Sequence, residues 1–147
     1  MAARVTGEEA SRLLAQANSQ LPHGPGMRLV DGLIDFDTRE IHCRAHIQPG
    51  NPLLDQQQLH PLICLEYAAQ AAAIHGILIN KGFTANQPAY VGAIKECHWQ
   101  HGSPAVRQTL LITATAEYLA DEGAIYGFSV AGEDGDICRG RMTLVRR

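Results

Sequence analysis

Residues 51–80, NPLLDQQQLHPLICLEYAAQAAAIHGILIN, constrain the fold more than any other stretch. From Leu62 to His75 there is no proline or glycine, and Glu66, Gln70 and His75 are the polar breaks in a run rich in Ala, Leu and Ile. Good helix formers that are apolar nearly all the way round predict a buried helix of about five turns. Pro61 suits its first turn, where a missing N–H costs nothing. The KGF segment supplies a stop near Asn80 to Gly82. The polar breaks make the run a poor membrane span. A carboxylate in such a helix is costly unless it is paired, hydrogen-bonded or protonated. Glu66 is therefore the first candidate for chemistry.

The flanking segments predict what encloses this helix. Thr6 can cap a short helix over about 7–18, with Glu9 three residues on as its capping-box partner. LPHGPG is a turn-rich connector. Met27–Phe36 reads as a strand. Arg39–Gln48 alternates strictly, with Ile41, Cys43, Ala45 and Ile47 on one face and His42, Arg44 and His46 on the other. DFDTRE between them predicts a hairpin. Beyond the helix, residues 89–100, 108–119, 123–133 and 136–147 read as strands, with DEG and EDGD as hairpin turns. Two strands, one long helix and a meander of about four strands make one α+β domain over 1–147. The economical arrangement is a curved antiparallel sheet wrapped around one central helix, its other face free to meet a partner.

Charged residues are 18% of the chain and apolar residues 46%, a low charge that favours a surface covered by a second copy or a partner. The net charge of -3 includes no block of like sign, so nothing suits a nucleic-acid backbone. Cys43, Cys64, Cys97 and Cys138 are scattered without CxxC spacing and read as reduced thiols, not disulfides or zinc ligands. The N-terminus lacks an apolar signal-peptide core. These features predict a cytoplasmic protein with no metal, cofactor, nucleic-acid or membrane requirement.

Helix order and motifs together resemble the hot-dog fold. LPHGPGMRLVD, residues 21–31, is similar to the LPH…LLVD opening of 3-hydroxyacyl acyl-carrier-protein dehydratases. PLICLEYAAQAAAIHG resembles that family's helix, with its E-x-x-A-Q core at Glu66, Ala69 and Gln70. AYVGAIKECHW, residues 89–99, resembles its G-I-x-x-x-x-F/W strand. The match is closest to the small dehydratase-like proteins of aryl polyene-type clusters. The resemblance implies dehydration of a 3-hydroxyacyl thioester, carried by acyl carrier protein or coenzyme A, to the trans-2-enoyl thioester. A histidine takes the Cα proton and the helix carboxylate serves the leaving hydroxyl. It further implies a homodimer, or a higher oligomer, with the acyl tunnel at the interface. Glu66 is then catalytic, and Gln70, Leu62 and Gly92 are substrate-binding.

The loop before the helix departs from that pattern. The family histidine stands fourteen residues before the acid; here that position is Pro52, preceded by Asn51. Asn51 can hydrogen-bond but cannot act as a base at neutral pH. The family's glycine amide, which holds the thioester carbonyl, stands five residues before the acid; here it is Pro61, which has no N–H. The amide of Leu62, or of Leu65 further in, would have to serve. His60 at the helix entrance is the first substitute for the histidine, with His46 and His23 behind it, although an exposed or capping imidazole is the plainer reading of all three. His75 lies nine residues after Glu66, about 180° round the helix, and reads as a core histidine. Two further functions stay open: a thioesterase in which Asn51 positions water beside Glu66, and a non-catalytic acyl-binding or partner subunit.

Overall fold

The computed structural model describes residues 3–21, 27–79, 89–100, 104 and 107–146. The LPHGPG connector after Leu21, including His23, and the expected helix stop at 80–82 lie outside these residues. A two-residue strand β1 (Ala3–Arg4) precedes helix α1 (Gly7–Ser19). Thr6 caps α1 as expected, its hydroxyl accepting from the Glu9 N–H at 3.2 Å. Ala10, Leu14 and Ala17 bury one stripe of it.

Strands β2 (Gly32–Phe36) and β3 (Glu40–His46) form the expected hairpin. The Asp37 carboxylate closes it by accepting the Arg39 and Glu40 N–H groups at 2.8 and 2.9 Å. The alternation of β3 is borne out: Ile41, Cys43, Ala45 and Ile47 are fully buried. Strand β2 starts later than the sequence suggests. Over residues 27–29 the backbone bonds to the Gln70 side chain instead of a strand ladder.

A single 3-10 turn (Pro61–Ile63) leads into helix α2 (Cys64–Leu78). Residues 61–78 are long and apolar enough to cross a membrane by composition. Here they form the helix that packs against β3, β5, β6 and β7, with Tyr67, Ala68, Ala71, Ile74 and His75 fully buried.

Strands β4 (Ala89–Trp99), β5 (Thr109–Ala120), β6 (Gly123–Gly132) and β7 (Gly135–Arg146) complete an antiparallel sheet of order β1-β2-β3-β5-β6-β7-β4. The expected four-strand meander needs one correction. β5, β6 and β7 are consecutive, but β4 crosses to the far edge and pairs with β7. A strand that left the helix for the centre of the sheet would break the β3–β5 pairing. At the β6–β7 turn Gly135 takes φ +118, where a side chain would be strained. The architecture is the hot-dog fold, a curved sheet wrapped around one long helix.

Candidate functional site

Two faces of α2 differ. Tyr67, Ala71 and Ile74 press into the sheet and are fully buried, or nearly so, whereas Leu62, Glu66, Ala69, Ala73 and Ile77 are only half-buried. At 100° per residue the four of these that lie in α2 fall within one quarter of the helix circumference, and Leu62 stands in the turn before them. Glu66 thus stands in the first turn of α2, at the head of an apolar stripe that the chain's own sheet leaves partly open.

The loop before α2 is held rigidly. Asp55 and Gln58 exchange backbone hydrogen bonds of 2.9 and 3.0 Å around Gln56 and Gln57. Both central residues have positive φ, 51 and 63, which costs roughly 1–2 kcal/mol each for residues with a Cβ. Leu59 is fully buried and its N–H donates to the Pro104 carbonyl at 2.8 Å.

Within this frame the candidate residues take definite places. His60 is exposed, and its Nδ1 accepts the Leu62 N–H at 3.1 Å. The imidazole is the cap of the turn, and it occupies the amide that the sequence offers as a carbonyl donor. Gln70 is buried: its Oε1 accepts the Leu29 N–H at 2.9 Å and its Nε2 donates to the Met27 carbonyl at 2.6 Å. It ties residues 27–29 to α2. Gly92 lies on the edge strand β4, where the pairing with β7 shifts register between Val91 and Ala93. A Cβ there would stand 3.3 Å from a Val145 methyl.

Asn51 connects loop to helix. Its Nδ2 donates to the Tyr67 hydroxyl at 2.8 Å, and its Oδ1 accepts the Leu53 N–H at 2.8 Å. Burial pushes the Tyr67 hydroxyl up to about 12, the Asn51 hydrogen bond opposing it in part. Beside this pair opens a cavity of about 180 Å3, lined also by Leu29, Asp31, His46 and Gly50. The Asp31 carboxylate accepts the His46 backbone N–H at 2.7 Å, and its two oxygens lie 3.2 and 3.3 Å from the His46 Nδ1. Tyr67 and Asp31 are not among the sequence candidates. The hairpin register was the signal for Asp31: with Gly32 opposite Arg44, the residue before Gly32 reaches the end of β3.

The remaining groups are closed. Both nitrogens of His75 are engaged, Nδ1 with the Tyr126 hydroxyl at 2.6 Å and Nε2 with the Asp37 carbonyl at 2.8 Å. A larger groove of about 510 Å3 lies over the sheet face away from α2. In it Arg141 is already paired with Glu117 at 2.7 Å and Glu96 at 3.3 Å. The smaller cavity adjoins the loop and helix that carry Asn51 and Tyr67 and is the better site candidate. The four cysteines are free thiols, three of them buried. Among the described residues no three His, Cys, Asp or Glu side chains converge on a possible metal.

Solved structures share the fold. A chain of the dehydratase heterocomplex ApeI:P from Xenorhabdus doucetiae superposes with a TM-score of 0.77 at 16% identity, covering 89% of this chain and 90% of that one. Zebra fish thioesterase superfamily member 2 gives 0.68 at 11% identity over 97% and 98%. A Streptococcus mutans protein bound to acetyl CoA gives 0.59 at 13% identity over 78% and 86%. At these identities the likeness is one of fold. Among curated proteins none matches this sequence. The family assignment comes from residues 15–147, which match the ApeP-like model, described as ApeP dehydratase. With nine-tenths of the sequence inside that match, the chain belongs to the ApeP-like dehydratase family.

Proposed function

We propose that the chain dehydrates a 3-hydroxyacyl thioester, delivered by acyl carrier protein or coenzyme A, to the trans-2-enoyl thioester in the cytoplasm. The observation that carries this reading is the position of Glu66 at the head of the half-open apolar stripe Leu62, Ala69, Ala73 and Ile77. An acyl chain lying along that stripe brings its 3-hydroxyl to the carboxylate, which accepts the hydroxyl hydrogen bond and holds the leaving group. Gln70 supports the site indirectly by fixing residues 27–29 beside the cavity.

Edge strand β4 supports an assembled protein. Tyr90, Val91, Ile94 and Trp99 are between 38% and 48% exposed along it, too much apolar surface for a strand left in water. Pairing with another β4 would continue the sheet and close the open side of α2, as in a homodimer or higher oligomer. Gly92 then sits at the junction, at the mouth of the acyl tunnel. Glu66 of one protomer would serve the pocket of its partner. The same edge also suits a different hot-dog chain, so a partner subunit in a heterocomplex is the second reading, in keeping with the heterocomplex among the fold's relatives. A thioesterase would need Asn51 to position water. Both ends of that amide are already engaged with Tyr67 and Leu53, which favours the dehydratase.

The test is turnover of 3-hydroxybutyryl- and crotonyl-CoA followed by enoyl thioester absorbance. Wild type should interconvert them without releasing free thiol. Glu66→Gln should lower kcat by about 10²-fold or more; unchanged turnover would remove Glu66 from the site.

A further inference from the structure

The dehydratase reading leaves two tasks unfilled, since the loop holds no histidine and the Leu62 amide is taken by His60. We propose that His46, held by Asp31, is the base that takes the Cα proton, and that the Tyr67 hydroxyl holds the thioester carbonyl. This inference rests on the dehydratase reading above.

The geometry of His46 is that of an oriented base. It ends β3, paired with Thr109 of β5 and followed by the fully buried Ile47. The Asp31 carboxylate grips both its backbone N–H and its ring Nδ1. A carboxylate only accepts, so Nδ1 carries the proton and the lone pair lies on Nε2. Nε2 has no protein partner among the described residues, and the ring lines the cavity of about 180 Å3. Asn51 and Tyr67 line the same cavity. The Asn51 amide donates to the phenol oxygen, leaving the phenol proton for an acceptor in the cavity. Burial keeps that phenol protonated at neutral pH. The phenol itself is fully buried, while His46 and Asp31 stand exposed at the rim of the cavity. The other described imidazoles near α2 are spent: His60 caps a turn and His75 is bonded at both nitrogens.

The step balances with one base. Nε2 takes the Cα proton while the carbonyl leans on the Tyr67 hydroxyl. The electron pair of the C–H bond forms the C2=C3 double bond as the C3–O bond breaks. The imidazolium passes the same proton to the departing hydroxyl, held by a Glu66 that reaches in from the other protomer, and the hydroxyl leaves as water. His46 and Glu66 end as they began.

The experiment uses the full chain, in the assembly in which it purifies, with 3-hydroxybutyryl- and crotonyl-CoA. His46→Gln should lower kcat by about 10²–10⁴-fold and abolish exchange of the substrate Cα hydrogen with D2O. Asp31→Asn should lower kcat by about tenfold at unchanged KM, with part recovered in Asp31→Glu, the mark of a positioning residue. Tyr67→Phe should lower kcat by about 10²–10³-fold. Should His46→Gln fail to fold, full kcat and exchange in Tyr67→Phe and Asp31→Asn together would overturn the proposal. A folded His46→Gln with more than half the wild-type kcat, beside an inactive Glu66→Gln, overturns this inference alone. A wild-type chain that forms no enoyl thioester overturns the dehydratase reading and the inference with it.

Discussion

The chain contains two histidine–tyrosine sites against the same helix, and they are built oppositely. On the buried side, His75 and Tyr126 meet edge to face with ring centroids 5.6 Å apart. The carbonyl of Asp37 can only accept, so His75 donates from Nε2 and accepts the Tyr126 O–H at Nδ1. Every polar atom of the pair has a protein partner, and burial favours the neutral imidazole. At the helix entrance, His46 and Tyr67 each keep one side for the cavity: the imidazole is held at Nδ1 alone, and the phenol receives a bond but keeps its proton. Residue type does not distinguish core from site here. What distinguishes them is whether the protein itself uses up the hydrogen-bonding capacity.

That comparison can be broken by exchanging effects between the two sites. His75→Leu would leave the buried Tyr126 hydroxyl without its imidazole partner and remove the imidazole's bond to the Asp37 carbonyl. It should cost about 2–4 kcal/mol of stability, read by denaturant unfolding, while kcat per folded molecule stays at the wild-type value. A large kcat loss at full folding would move His75 into the chemistry. Next in size is the tyrosine pair. Tyr126→Phe strands the His75 Nδ1 and should cost about 1–3 kcal/mol. Tyr67→Phe should move stability less than Tyr126→Phe, and its effect should fall on turnover. Equal stability losses in the two would erase the distinction.

The smallest effect is in pH. Burial lowers the His75 pKa below its ordinary 6.5, the Asp37 carbonyl opposing this in part. The neutral form is thus favoured in the folded chain, while the unfolded chain binds the proton at the ordinary pKa. The stability from this site is complete above pH 6.5 and is lost as the pH falls below it toward the folded pKa. Melting temperature measured against pH should fall on that acid side, and the fall should be shallower in His75→Gln. An identical profile in both proteins would exclude His75 as the source.

Much of the fold was legible because it follows from short periods. The two-residue alternation of β3 put Ile41, Cys43, Ala45 and Ile47 inside, and an apolar run with no proline or glycine from Leu62 to His75 made most of α2. Thr6 announced a helix cap from a spacing of three residues. The crossing of β4 to the far edge was not legible, because its own pattern is the same whether it neighbours β5 or β7. Of the site, Glu66 stood out as a carboxylate in apolar surroundings. Gln70 drew attention as the polar residue on the same helix face and His60 as the imidazole at the helix entrance, and their side chains are engaged with backbone at Leu62, Leu29 and Met27. A polar residue in an apolar setting signals an obligation to form bonds, but the sequence does not say with what.

By itself, then, the sequence determined the secondary elements, their order, the central helix and the carboxylate in it. Repetitive hydrophobic spacing fixes these locally, and the family motifs at 21–31, 61–76 and 89–99 agree with them. Only the tertiary structure decided which polar groups remain open. The Asp31–His46 and Asn51–Tyr67 bonds span 15 and 16 residues of chain. They form because a hairpin register and the path of a tight loop bring those side chains to one cavity, and neither has a period to be read in advance.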